Sequence, residues 1–117
     1  MKTRLLTFLG LLLLAMTTFT APADNSSQAR SYIRDAEYYI NQADGYRRDA
    51  ERYLRQAESH SRDVTYYTRQ GKVDTAKDYQ KKADKAMDSY KQYMKKAADA
   101  DDRAADCLKR AARLLEK

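Results

Sequence analysis

The sequence predicts an all-α protein: an antiparallel two-helix coiled-coil hairpin with an alanine and tyrosine core, which could dimerise into a four-helix bundle. Two long series of small and aromatic residues recur at alternating spacings of three and four residues. One glycine-containing break separates the two series, and the only proline, Pro22, precedes both of them. Spacing of this kind places one stripe of residues along each helix, which a second helix can cover.

The first element is a predicted signal peptide over residues 1–23, which we expect to be cleaved. Lys2 and Arg4 give it a basic start, an apolar run covers residues 5–16, and Ala21-Pro22-Ala23 supplies the small residues that signal peptidase requires. The apolar run is too short for a transmembrane span. We therefore expect an exported chain over residues 24–117 without a transmembrane segment, in the periplasm or, as the alternative, secreted.

The first helix is predicted over residues 27 to about 69. Its heptad has a small or β-branched residue at position a and an aromatic residue at position d. Position a is occupied by Ala29, Ala36, Ala43, Ala50, Ala57 and Val64. Position d is occupied by Tyr32, Tyr39, Tyr46, Tyr53, His60 and Tyr67. An alanine gap on one helix can admit a ring from the other, while the phenol oxygen still reaches water.

A turn is predicted over residues 70–74. Gly71 suits the left-handed conformation that commonly ends a helix. Asp74 or Thr75 is suited to cap the helix that follows. A connection this short forces the two helices to run antiparallel.

The second helix is predicted over residues 75–116, and it continues the heptad. Position a is occupied by Ala76, Ala83, Tyr90, Ala97, Ala104 and Ala111. Position d is occupied by Tyr79, Ala86, Tyr93, Ala100, Cys107 and Leu114. A chain that folds back at Gly71 brings residues together whose numbers sum to about 143. Small residues then mostly face large ones. The exceptions are Ala43 facing Ala100 and Ala57 facing Ala86, where the helices should approach more closely, and Tyr53 facing Tyr90, where they should be pushed apart.

The g positions test this register, because g faces g in an antiparallel pair. The first helix carries an aspartate at three of these positions, and each predicted partner is basic. The predicted pairs are Asp35 with Arg110, Asp49 with Lys96, and Asp63 with Lys82. Each exposed pair would contribute about 0.2–1 kcal/mol, and together they disfavour a slipped or parallel arrangement.

Position e carries large apolar residues that a two-helix hairpin is not expected to cover by itself. This predicted interaction face consists of Ile33, Ile40, Leu54, Met87, Met94, Leu108 and Leu115. An isolated hairpin with an alanine-rich core buries little apolar area and should be marginally stable. We therefore expect self-association, with another helical protein as the alternative partner.

The exported chain is basic. Removal of Lys2 and Arg4 leaves 21 basic and 17 acidic residues, a net charge of +4. The least compensated charges form a predicted basic patch: Lys77, Lys81, Lys82, Lys85, Lys91, Lys95 and Lys96. Such a patch favours an acidic envelope polymer or an acidic client protein, although a solvated helix surface has the same composition. The export signal argues against nucleic acid.

No residue pattern points to catalysis, a metal or a cofactor. His60 and Cys107 are the best candidates for a metal site or a nucleophilic pair, but they lie about 36 Å apart along the register. Met87 and Met94 are more simply explained as gap-filling apolar residues. A slender hairpin also lacks the concave pocket that an enzyme needs. We therefore expect no enzyme activity, no metal and no cofactor.

Cys107 is the single cysteine of the chain. At position d it is expected to be a small core residue. An intermolecular disulfide is the alternative, since an unpaired cysteine in an exported protein can link two chains.

Two functional hypotheses follow from these features. The first is a non-enzymatic structural or protein-interaction module of the cell envelope that assembles through the interaction face. The second is a small basic periplasmic holdase chaperone or envelope-polymer-binding factor. It would use the basic patch for electrostatic capture and the tyrosines or methionines for apolar contact.

Overall fold

Two long helices packed against each other form the described part of the molecule, and they confirm the predicted all-α antiparallel hairpin. The computed structural model describes residues 23–116, with side chains from 24 onward. Helix α1 covers Ala23–Arg69 and helix α2 covers Val73–Glu116. Apart from Ala23, the predicted signal peptide lies outside the described residues.

The turn between α1 and α2 is closed by two hydrogen bonds around Gly71. The Gly71 amide donates to the Thr68 carbonyl at 3.1 Å, and the Lys72 amide donates to the Tyr67 carbonyl at 2.9 Å. Gly71 has φ 74°, which is the left-handed conformation predicted for it. This is the Schellman arrangement, in which the last carbonyls of a helix find partners in the residues that follow.

The predicted cap of α2 is wrong in position. The helix begins at Val73, and the Ala76 amide donates to the Lys72 carbonyl at 3.0 Å. Asp74 therefore lies inside the first turn rather than before it. A carboxylate in the first turn is still favourable, because it faces the positive end of the helix dipole.

The chain divides into two compact units, each containing a segment of both helices. The turn unit covers residues 45–97. The terminal unit contains the described residues up to 44 and from 98 onward.

The interior of the terminal unit contains large aliphatic residues as well as alanine. Its cluster consists of Ala29, Ile33, Ala36, Ile40, Ala104, Leu108, Ala111 and Leu115, with Tyr32, Tyr39, Cys107, Ala112 and Leu114 packed against it. The side-chain amide of Asn25 donates to the Leu114 carbonyl at 3.4 Å. That bond links the start of α1 to the end of α2 and satisfies a carbonyl that the helix itself leaves without a partner.

The interior of the turn unit is different, because every buried hydrophobic residue in it is alanine. These residues are Ala50, Ala57, Ala76, Ala83, Ala86 and Ala97. The larger side chains of this unit are half-buried around the alanines, among them Tyr53, Val64 and Tyr93. A core of methyl groups buries little apolar area, so rings at its edge must contribute much of the packing.

Candidate interaction surfaces

The basic patch is a surface feature of the turn unit. All seven of its lysines are exposed, and all lie on α2 between residues 77 and 96. Among the described residues, none of the seven ammonium groups lies within 4.0 Å of a carboxylate. The patch is therefore positioned to present its charge to solvent and to a partner.

The three predicted g–g ion pairs do not form, and the same cations lie over tyrosine rings instead. Lys96 Nζ is 4.8 Å from the ring centroid of Tyr93 and 5.9 Å from that of Tyr46. Lys82 Nζ is 4.7 Å from the centroid of Tyr79.

The remaining predicted partners behave in the same way. Arg110 lies 5.9 Å from the ring centroid of Tyr32 in the terminal unit. Asp49 pairs with Arg52 of its own helix at 3.7 Å. A half-buried ring beside position g offers a cation a fixed electronegative face, whereas an exposed ion pair must order two flexible side chains for little gain.

The predicted interaction face divides between the two units. Ile33, Ile40, Leu108 and Leu115 are buried in the terminal unit, so the expectation that the whole of position e is uncovered is not met there. The residues in the turn unit are nearer to solvent: Leu54 and Met87 are half-buried, and Met94 is 38% exposed. Within the predicted interaction face, this second part is the one that presents apolar surface to solvent.

Aromatic residues at position d form two groups of ring contacts in the turn unit, which we together call the ring strip. It consists of Tyr46, Tyr53, His60, Tyr67, Tyr79 and Tyr93. Tyr53 stacks on Tyr93 with centroids 5.5 Å apart, and Tyr67 stacks on Tyr79 at 5.2 Å. These contacts join d residues of neighbouring layers: Tyr93 lies between Tyr46 and Tyr53, and Tyr79 lies between His60 and Tyr67.

A cleft of about 220 Å³ opens beside the ring strip. It is lined by Tyr53, Gln56, His60, Lys82, Lys85, Ala86 and Ser89. Ala86 occupies a d position between Tyr79 and Tyr93 and leaves a gap where a ring would otherwise lie. The sequence predicted that Ala57 and Ala86 face each other here, but it did not lead us to predict a cleft. The feature that could have predicted the cleft is the alanine that interrupts the aromatic series at position d of α2.

Cys107 is half-buried and has a free thiol. Burial raises the pKa of this thiol, and the negative charge of Asp35 raises it further. Arg110 lowers it, while Asp106 raises it. The net increase keeps the sulfur protonated and less nucleophilic than an ordinary cysteine. The position agrees with a core residue, and the structure of one chain does not test the intermolecular disulfide.

The described residues contain no cluster of three histidine, cysteine or acidic side chains able to hold a metal ion. The search for membrane spans, over the same part of the chain, finds no helix with the length and apolar content to cross a bilayer. Comparison with protein-family models, with curated proteins and with solved structures gives no match to this chain.

Proposed function

We propose that this protein is a non-enzymatic, exported interaction module that binds an anionic partner of the cell envelope through the basic patch of the turn unit. The observation that carries the proposal is the exposure of all seven lysines along one stretch of α2. Clustered like charges raise the local concentration of an oppositely charged partner and speed its association.

The ring strip adds a second kind of contact at the same place. Lys82 and Lys96 are held against half-buried rings, so part of the positive charge has a defined position. Tyrosine also offers both an apolar face and a hydroxyl group, which suits it to partially hydrated binding surfaces. The combination favours an envelope polymer with regularly spaced anionic groups.

The test is binding to an immobilised anionic polymer over a series of salt concentrations. The triple variant Lys81→Gln, Lys91→Gln, Lys95→Gln should bind more weakly and show a smaller salt dependence. The matched control removes the same number of exposed charges from α1, at Arg48, Arg55 and Arg62. Each of these arginines follows an acidic residue by four positions, the spacing at which opposite charges on one helix lie side by side. Equal losses in the two variants would contradict the proposal.

An acidic unfolded protein is a competing kind of partner for the same patch, as a holdase chaperone would require. The purified protein would then suppress the aggregation of unrelated acidic proteins at low salt. Such suppression, without any retention on the polymer, would assign the patch to client capture instead of polymer binding.

Self-association is the second proposed role, and the composition of the turn-unit core favours it. That core buries only alanine, while Met94 is 38% exposed and lies on the same side as half-buried Leu54 and Met87. Covering this side with a second copy would add the large apolar contacts that the core lacks.

Sedimentation equilibrium of Met94→Asp should show a shift towards monomer relative to the unmodified chain. Lys95→Asp, one residue away on an exposed position, is the control and should retain the original association state. A stable helical monomer at high micromolar concentration of the unmodified chain would eliminate this role.

A further inference from the structure

The cleft at Ala86 has a definite origin in the heptad pattern. Tyr79 and Tyr93 occupy the d positions on either side of Ala86 in α2, and each stacks with a ring of α1. The facing d residues, Tyr53 and His60, are seven positions apart, which is about 10.5 Å along the helix. The alanine thus leaves a space one ring wide, with Ala86 itself, 6% exposed, among its lining residues.

The walls of this cleft are braced by ring contacts. Tyr53 packs against Tyr93 with an interplanar angle of 20°. The His60 ring lies 6.0 Å from that of Tyr79. Side chains held in this way lose little freedom when a ligand binds, so the site is largely formed in advance.

The polar groups of the cleft select for negative charge. Lys82 and Lys85 are exposed and contribute two ammonium groups, while Gln56 and Ser89 contribute an amide and a hydroxyl donor. None of the lining residues is acidic. At about 220 Å³ the cleft is smaller than the roughly 300–1,000 Å³ of drug-sized ligand sites, so it suits one compact group.

His60, a half-buried residue, also lines the cleft. Its Nδ1 atom is buried and has no hydrogen-bond partner among the described residues. Buried polar atoms in folded proteins nearly always have partners, and the exceptions call for an explanation such as a ligand, ion or water.

We propose that the Ala86 cleft binds a phosphate group, with Lys82 and Lys85 neutralising its charge and Gln56 and Ser89 donating hydrogen bonds to its oxygens. A phosphate has more acceptor oxygens than a carboxylate and carries up to two negative charges, which matches two ammonium groups and two neutral donors. The inference rests on the proposed binding of an anionic envelope partner and names the group recognised.

The test is calorimetric titration of the purified protein at constant ionic strength. The probes are inorganic phosphate, glycerol 1-phosphate and poly(glycerol phosphate), which separate a free anion from a phosphate ester and a polymer. The cleft variant Lys82→Gln, Lys85→Gln should weaken binding of the preferred probe by about tenfold or more, the loss expected from charge-assisted hydrogen bonds. The control Lys81→Gln, Lys95→Gln removes the same charge from basic-patch positions outside the cleft, so it should weaken binding of inorganic phosphate and glycerol 1-phosphate by less than about threefold while still weakening retention on the polymer.

Ala86→Tyr provides a second variant, because it restores the interrupted aromatic series and fills the cleft while leaving every lysine in place. It should abolish saturable phosphate binding but preserve salt-dependent retention on the anionic polymer. One result would overturn the phosphate site in the cleft but leave the proposed function intact. In that result the chain binds the polymer, the two lysine pairs weaken binding equally, and Ala86→Tyr has no effect. Equal affinity for polygalacturonate would overturn the assignment to phosphate. Failure to bind any of these anions would overturn both proposals.

Discussion

Tyr53 of α1 stacks on Tyr93 of α2, with ring centroids 5.5 Å apart and ring planes inclined by 20°. The buried hydrophobic residues of the turn unit are all alanine. The stacked tyrosines therefore provide a direct contact between large side chains of the two helices. Offset stacking adds to the apolar area that the two rings bury.

A double-mutant cycle should therefore detect coupling between these two tyrosines. With Tyr53→Ala and Tyr93→Ala, the coupling in the free energy of unfolding should be about 0.5–1.5 kcal/mol. Tyr90 is the control, because it lies in the same predicted layer as Tyr53 but forms no ring contact with it among the described residues. Denaturant unfolding should give nearly additive effects for Tyr53→Ala and Tyr90→Ala; stronger coupling there would show that Tyr53 packs mainly on Tyr90.

The contact between Lys96 and Tyr93 should contribute more to stability than the predicted ion pair between Lys96 and Asp49. Lys96→Gln should lower the free energy of unfolding by about 0.5–1 kcal/mol, the usual size of an exposed cation–π contact. Asp49→Asn should change it by less than about 0.5 kcal/mol, since among the described residues the partner of Asp49 is the exposed Arg52. Double-mutant cycles measured by thermal unfolding at low salt give the coupling energies of Lys96 with Tyr93 and of Lys96 with Asp49. A larger coupling energy for Lys96 with Asp49 would refute the preference of Lys96 for the tyrosine ring.

Two glycine substitutions should have opposite effects on stability. Gly71→Ala places a side chain on a residue with φ 74°, and should cost about 1–2 kcal/mol. Gly45→Ala should stabilise the protein by about 0.5–1 kcal/mol, because alanine is the better helix former. The added methyl carbon at Gly45 would lie 3.9 Å from its nearest neighbour, Arg48 Nη2, an ordinary contact. If urea unfolding shows that both substitutions change the free energy of unfolding in the same direction, the turn geometry is contradicted.

The raised pKa of Cys107 makes stability fall at alkaline pH. The folded chain holds the thiol proton more tightly than the unfolded chain, so this contribution is fully present below the ordinary thiol pKa. It is lost as the pH rises through the raised pKa of the folded state. The difference in unfolding free energy between the unmodified chain and Cys107→Ser should shrink over that interval. A difference that grows with pH would show that the pKa of the thiol is lowered.

The rate of alkylation of Cys107 should respond to its charged neighbours in opposite directions. Asp35→Asn removes a charge that raises the pKa of the thiol, so iodoacetamide should react faster at neutral pH. Arg110→Gln removes a charge that lowers the pKa, so the reaction should slow. Mass spectrometry of timed samples measures both rates. If both variants react at the rate of the unmodified chain, neither charge affects the pKa of the thiol.

The hairpin was predictable because its determinants are local. The alanine and tyrosine heptads specify which side of each helix faces the other, and Gly71 alone supplies the left-handed residue that the turn needs. The stacking of Tyr53 on Tyr93 was not predictable, because periodicity gives the direction of a side chain and not the angle at which two rings meet.

The electrostatic pattern and the cleft were harder to predict for related reasons. The charges of Lys82 and Lys96 suit either an aspartate or a ring face, and only the depth of the neighbouring tyrosines decides between them. Heptad position also does not determine how deeply a side chain is buried. Leu108 and Met94 both occupy position e, but Leu108 is buried and Met94 is 38% exposed. Small residues facing each other at Ala57 and Ala86 predicted closer helices, whereas the rings on either side leave the space open.

A distance measured across the terminal unit tests whether α1 and α2 pair in antiparallel orientation. Asp35 and Arg110 both act on the pKa of Cys107 and both have exposed side chains, so each can carry a spin label in a Cys107→Ser background. Packed helix axes lie about 8–10 Å apart, so the two labels should be separated by about 20 Å. Dilution with unlabelled chain should leave that distance unchanged. Labels more than about 40 Å apart, or a short distance that vanishes on dilution, would contradict the hairpin.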